Sequence, residues 1–229
     1  GTAKPFLDPK MFLDRNYATG LIFTFFIGVI LLASLALLPP MLARIFGYPT
    51  ITTGLVMGPR GVGTMISMIL VGRLMRVVDA RILMTAGLLL AAASLYYMTD
   101  FSPQMGSGPV IWTGVLQGLG LGLVFVPMST VAFATIAPEY RADATSLFSL
   151  VRNIGSSIGI SVVSVMLTRN VQINHAELGA AISSYNPNTV DALQSMGRSP
   201  LTLQIMDWLV NQQALMIGYI NDFKLMMIV

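Results

Sequence analysis

The chain has 229 residues, of which 55% are hydrophobic and only 10% charged, less than half the roughly 25% of a soluble domain and too few to cover a water-exposed globule. A mean hydropathy of +0.74 agrees. The net charge of +3 is small and scattered, which excludes nucleic acid as a partner, and the absence of cysteine excludes a disulfide framework or thiolate metal site.

Taken in chain order, the first charge-free stretch covers residues 16–43 and predicts a helix over 17–39. At 1.5 Å per residue that helix crosses a hydrocarbon core of roughly 30 Å, and Pro39-Pro40 is expected to stop it. A second span covers 51–72 with one charge, Arg60, and a third covers 82–98. The fourth lies in the uncharged stretch 101–138, with Trp112 as an interface anchor. The fifth, 145–168, holds Arg152, and a sixth begins near residue 214. Between them, Val171, His175, Leu178 and Ile182 recur at helical spacing, as do Leu201, Ile205, Trp208 and Leu209, and predict short amphipathic helices at the membrane surface. The expected organisation is a lead-in over 1–16, five transmembrane helices over 17–168, an outer loop over 169–212, and the start of the last transmembrane helix over 213–229. The fold class is an all-α, polytopic helix bundle in the lipid bilayer. The opening at Gly1 and the apolar run ending at Val229 suggest a piece of a longer protein.

Lys and Arg mark the cytoplasmic side of such a protein. Lys4, Lys10, Arg15, Arg73, Arg76, Arg81 and Arg141 fall on one side, against Arg44, Arg169 and Arg198 on the other. The lead-in is therefore expected in the cytoplasm, together with the short turns after the second and fourth spans.

Charged residues inside a span are costly, about 2.5–3.5 kcal/mol for Arg at a helix centre, and are candidates for function. Arg60 follows Pro59 in the sequence Met57-Gly58-Pro59-Arg60-Gly61, where the proline frees a backbone carbonyl. Two roles are open to it: lining a transport pathway or gate, and pairing structurally with carbonyls or snorkelling to the surface. Arg152, beside Asn153, lies near its helix start, where snorkelling is easier. Asp222 is the one carboxylate inside a predicted span, with Lys224 on a different face, and reads as a structural or gating group at the outer rim. Gly114, Gly118 and Gly122 in the fourth span, with Gly155 and Gly159 in the fifth, have the spacing that lets helix backbones approach closely. His175 is the lone histidine, with no metal-ligand partner at useful spacing, and no HExxH or GxSxG motif or paired intramembrane carboxylate appears. No cofactor is expected.

Several stretches together resemble the fourteen-helix drug:proton antiporter branch (EmrB/QacA type) of the major facilitator superfamily, C-terminal half. They are Phe6-Leu7-Asp8 through Phe12-Leu13-Asp14-Arg15-Asn16-Tyr17, Gly54-Leu55 with Pro59-Arg60-Gly61, and Gly72-Arg73-Leu74 with Asp79 and Arg81. Arg141-Ala142-Asp143-Ala144-Thr145-Ser146-Leu147 with Arg152-Asn153-Ile154-Gly155 is the most specific, and Tyr219 with Asp222-Phe223 fits the last helix. The Gly72–Arg81 turn is similar to the second, degenerate copy of the superfamily's cytoplasmic loop motif. Arg76 stands where the full motif has an aspartate, so its charge relay does not carry over intact.

The resemblance implies a secondary active transporter in a bacterial inner membrane that exports small lipophilic compounds against protons by alternating access. It implies that the coupling carboxylates lie mainly in an N-terminal half, the partner of this one, and that a periplasmic adaptor docks on the outer loop. Two other readings remain: a non-transporting scaffold or sensor with the transporter fold, and a membrane-embedded lipid enzyme, for which the reacting groups are scarce.

Overall fold

The computed structural model describes residues 13–181 and 200–228, and within them the chain is helical with no strand. Helix α1 runs Arg15–Arg44, α2 Thr50–Leu74, α3 Ala80–Met98 and α4 Gly108–Phe133. A short 3-10 turn, Pro138–Tyr140, leads into α5, Arg141–Ala181, and α6 covers Pro200–Ile228. Among the described residues, α1 to α5 are long and apolar enough to cross a membrane. The fold is thus the expected all-α transmembrane bundle. Helix α6 carries Asn211, Gln212, Gln213, Asn221, Asp222 and Lys224 and falls short of that apolarity.

Local chemistry starts each helix. The Asp14 carboxylate caps α1 by accepting from the backbone N–H of Asn16 at 2.9 Å and of Tyr17 at 3.2 Å. Asp79 caps α3 in the same way through Arg81 N–H at 2.8 Å. Gly47, at φ 66°, allows the tight turn between α1 and α2.

The structure departs from the sequence reading in two places. Pro39 and Pro40 do not end α1, which continues to Arg44. Leu38, Met41 and Leu42 are buried in one hydrophobic core and hold the helix across its two missing N–H donors. The segments read as separate surface helices are instead continuous with α5 and α6. Helix α5 spans 41 residues, about 61 Å at 1.5 Å per residue. Helix α6 runs antiparallel against it: Gly218 faces Leu167 and Val171, and His175 pairs with Asp207 at 3.4 Å. The polar side chains between 169 and 212 hid this because an exposed helix tolerates them as readily as a loop does. The lead-in as far as residue 12, Ile182 and Arg198 lie outside the described residues.

Packing follows pairs: α2 and α3 lie on α4, while α1 and α6 lie on α5. One core gathers Leu37, Val56, Leu95, Phe101, Met216 and Phe223. The other gathers Tyr17, Leu21, Met128, Ile136, Leu147 and Phe148 where α1 and α5 begin and α4 ends. Glycines bring the backbones together. A Cβ on Gly63 would stand 2.7 Å from the Val115 carbonyl oxygen, and one on Gly87 2.6 Å from that of Gly120. Gly118 faces the Arg60 carbonyl, Gly122 the Ser67 side chain, Gly155 the Phe25 carbonyl and Gly159 the Val29 carbonyl. Gly114 is looser, its nearest neighbour being Arg60 Cβ at 3.6 Å.

Two outcomes are expected in thermal unfolding of the detergent-solubilised protein. Gly118→Ala should lose about 1–3 kcal/mol through overpacking, whereas Gly179→Ala, with open space around it, should stay within about 1 kcal/mol of wild type. The Thr135 hydroxyl, with the backbone N–H groups of Tyr17 and Asn16, holds the Asp14 carboxyl below its ordinary value of 3.8. Its stabilisation is therefore complete above that value and disappears as pH falls through the depressed one. Asp14→Ala should cost about 1 kcal/mol at neutral pH, a difference that shrinks in acid.

Candidate functional site

Arg60 lies on α2, which packs on α4 through glycine, and it is 6% exposed. Its Nη2 donates to Ser34 Oγ of α1 at 3.3 Å, and Gln117 Nε2 of α4 donates to the same oxygen at 3.2 Å. Ser34 and Gln117 are fully buried. Three helices thus meet at one hydroxyl. Arg60 Nη1 and Gln117 Oε1 are buried with no hydrogen-bond partner, an arrangement that costs about 1–3 kcal/mol per group in a packed interior. The node separates two recesses. One, about 580 Å³, is lined by Arg60 with Leu35, Met57, Met65, Met68 and Leu121. The other, about 240 Å³, is lined by Gln117 with Ile30, Leu88, Ala91, Val124 and Met226.

Asp222 is fully buried on α6 in the core opposite the α1 start, and neither carboxylate oxygen has a partner; the Tyr219 hydroxyl, one turn earlier, is also buried and unpartnered. Asp222 and Arg60 do not form an ion pair. His175 Nε2 approaches the Asp207 carboxylate at 3.4 Å, and among the described residues no group of side chains is suited to a metal ion.

The remaining predicted residues divide between packing and surface. The Arg152 guanidinium lies over the Phe125 ring of α4 at 5.6 Å, a cation–π contact, and its backbone carbonyl meets Gly28. Pro59 is half-buried beside Arg60, while Asn153 is exposed. Gly72, Arg73, Asp79 and Arg81 sit exposed at the turn between α2 and α3, where Asp79 serves as the cap of α3. At the same end of the bundle, the Tyr17 hydroxyl donates to the Ala144 carbonyl at 2.8 Å and ties α1 to α5.

Sequence reasoning found Arg60 and Asp222 but not Ser34, Gln117 or Tyr219 as their polar company. Gln117 left a signal, as the one carboxamide within the apolar α4 span. Ser34 left none, because a serine satisfies itself within any helix.

Long apolar helices, packed backbone to backbone through glycine around buried polar side chains, define a polytopic helical membrane protein. The chain belongs to the Major Facilitator Superfamily, whose model matches residues 2–170. It is similar to the fatty acid resistance protein FarB of Neisseria gonorrhoeae, 30% identical over 222 residues that take in 95% of this chain and 44% of FarB. It is similar to the multidrug export protein EmrB of Escherichia coli strain K12, 28% identical over 212 residues, 91% of this chain and 41% of EmrB. The probable multidrug resistance protein EmrY of the same strain is 28% identical over 80% of this chain and 36% of its own length. The chain therefore spans less than half the length of these relatives.

Asp222→Asn replaces an unpartnered buried carboxyl by a side chain of the same size and should leave the thermal midpoint unchanged or raised. A loss above about 1 kcal/mol would mean that the carboxylate has a partner.

Proposed function

We propose that the protein is a secondary active transporter that exports lipophilic compounds from a bacterial cell, driven by inward proton flow. Residues 1–229 supply the six-helix C-terminal half of an alternating-access fold, with α6 as its last helix. The observation that carries this reading is the Arg60–Ser34–Gln117 node: a buried cation beside a methionine-lined recess, in a family of transporters. Names of relatives that refer to multidrug export and fatty acid resistance support the direction of transport and an apolar cargo.

In this reading Arg60, with Pro59 loosening the helix before it, faces the pathway. Arg152 and Asn153 stand beside the pathway on α5, and Asp222 with Tyr219 acts as a gate near the outer rim. The Gly72–Arg81 turn latches the inner face, with the lead-in on the cytoplasmic side of the inner membrane. Protons are taken up chiefly by carboxylates of the N-terminal half, and a periplasmic adaptor binds at the outer α5–α6 hairpin.

The test is ethidium efflux from a pump-deficient strain expressing the full-length protein, with and without a protonophore. Efflux that stops with the protonophore is expected, and dye retention equal to that of the empty strain would count for a scaffold. Arg60→Ala should reduce efflux by about tenfold or more, the scale set by losing a charge-assisted contact, while the protein still inserts.

A further inference from the structure

Between Arg81 and Glu139 the sequence carries one charge, Asp100, and no Lys or Arg. Asp100 stands just past the end of α3, and no cation pairs with it among the described residues. It borders a recess of about 310 Å³ together with Tyr97, Met105, Pro109 and Trp112. The buried Phe101 and Thr113 close the inner wall, and the Thr113 hydroxyl is spent on the Pro109 carbonyl at 2.8 Å. Tyr97 and Trp112 are 51% and 61% exposed, so neither ring is taken up by the bundle core. The face of an aromatic ring attracts cations, and two such rings beside an unpaired carboxylate give the recess one electrostatic preference. Tyr97 lies in the last turn of α3 and Trp112 in the second turn of α4, the level at which hydrocarbon gives way to headgroups and amphipathic rings collect. Below the recess an apolar face continues: Leu89 and Tyr96, seven residues apart on α3, are both exposed.

We propose that this recess at the α3–α4 end of the bundle holds the ammonium headgroup of a membrane phospholipid, phosphatidylethanolamine. The ammonium donates to the Asp100 carboxylate and lies against the rings of Tyr97 and Trp112, while an acyl chain runs down α3 along Leu89. An anionic headgroup finds no Lys or Arg there and meets Asp100 with like charge. A soluble amine would use the recess and leave the apolar face beneath it unused. The site is separate from the recess beside Arg60, which no residue of α3 lines, and it does not depend on the export reading.

The test offers the full-length protein, delipidated in an uncharged maltoside detergent, equal amounts of dioleoyl phosphatidylethanolamine and dioleoyl phosphatidylglycerol, and counts bound lipid by native mass spectrometry. The two probes share their chains and differ in the headgroup. Phosphatidylethanolamine is expected to be retained about tenfold over phosphatidylglycerol, the scale of two exposed cation–π contacts and one exposed ion pair. Asp100→Asn and Trp112→Ala, both at exposed positions, should each cut that preference about threefold or more with the thermal midpoint unchanged. Trp112→Phe, which keeps a ring face, should keep more of it than Trp112→Ala. Equal retention of the two lipids by wild type overturns the proposal, whether or not any variant folds. So does a full preference in Asp100→Asn that still unfolds cooperatively. Displacement of bound phosphatidylethanolamine by a tenfold excess of ethidium also overturns it, because the recess would then belong to the path of a cationic cargo.

Discussion

In hydrocarbon an apolar side chain gains nothing by leaving lipid for another helix, so association depends on how closely backbones can approach. Here glycine supplies that approach at the principal helix pairs: Gly28, Gly155 and Gly159 between α1 and α5, Gly63, Gly118 and Gly122 between α2 and α4, and Gly87 and Gly120 between α3 and α4. Dispersion between atoms in contact then does what water does for a soluble core. The same contacts place the polar node. Gly118 lies against the carbonyl of Arg60 itself and against Thr64, which sets α2 on α4 at the level of the neighbouring Gln117. Ser34 on α1 completes the junction from the third side.

The two hydrophobic cores divide the labour between the ends of the bundle. Where α1 and α5 begin, the Tyr17 hydroxyl on the Ala144 carbonyl and the Asp14 cap close a polar seam around Phe133 and Phe148, whose rings sit 5.2 Å apart. The other core contains Asp222 and Tyr219 without partners among Met216, Phe223 and Leu38. One end is satisfied by its own hydrogen bonds and the other keeps unmet polar groups. A folded protein retains groups of the second kind at a cost in stability.

The spans were legible in the sequence for a direct reason. Residues 16–43 and 101–138 carry no charge, and only lipid or a buried core accepts such runs. Glycines four residues apart announced α4 and α5 as close-packed, and Arg60 stood out as a charge inside a span. What escaped was whatever depends on a neighbour distant in sequence. Pro39-Pro40 reads as a stop until Leu38, Met41 and Leu42 are seen in the core. Residues 169–181 read as a surface helix separate from the span until α6 is seen beside them, with Gly218 against Val171 and Asp207 against His175. Ser34 is one of several serines until two side chains from 26 and 83 residues away converge on it.

Rigidity within this half bears on how the proposed transport cycle moves. Glycine contacts at van der Waals limit leave α2, α4 and α3 no room to slide without a clash of backbones, and packed interfaces of this kind have discrete rather than graded arrangements. Displacement is then concentrated on faces that glycine does not lock. On α2 that face carries Gly54, Gly58 and Gly61, around which the structure shows open space, and the exposed Val62, Met65 and Ile69. Gly61, Met65 and Ile69 also line the recess beside Arg60. The recess therefore lies between a glycine-locked contact and the face of α2 that glycine leaves free.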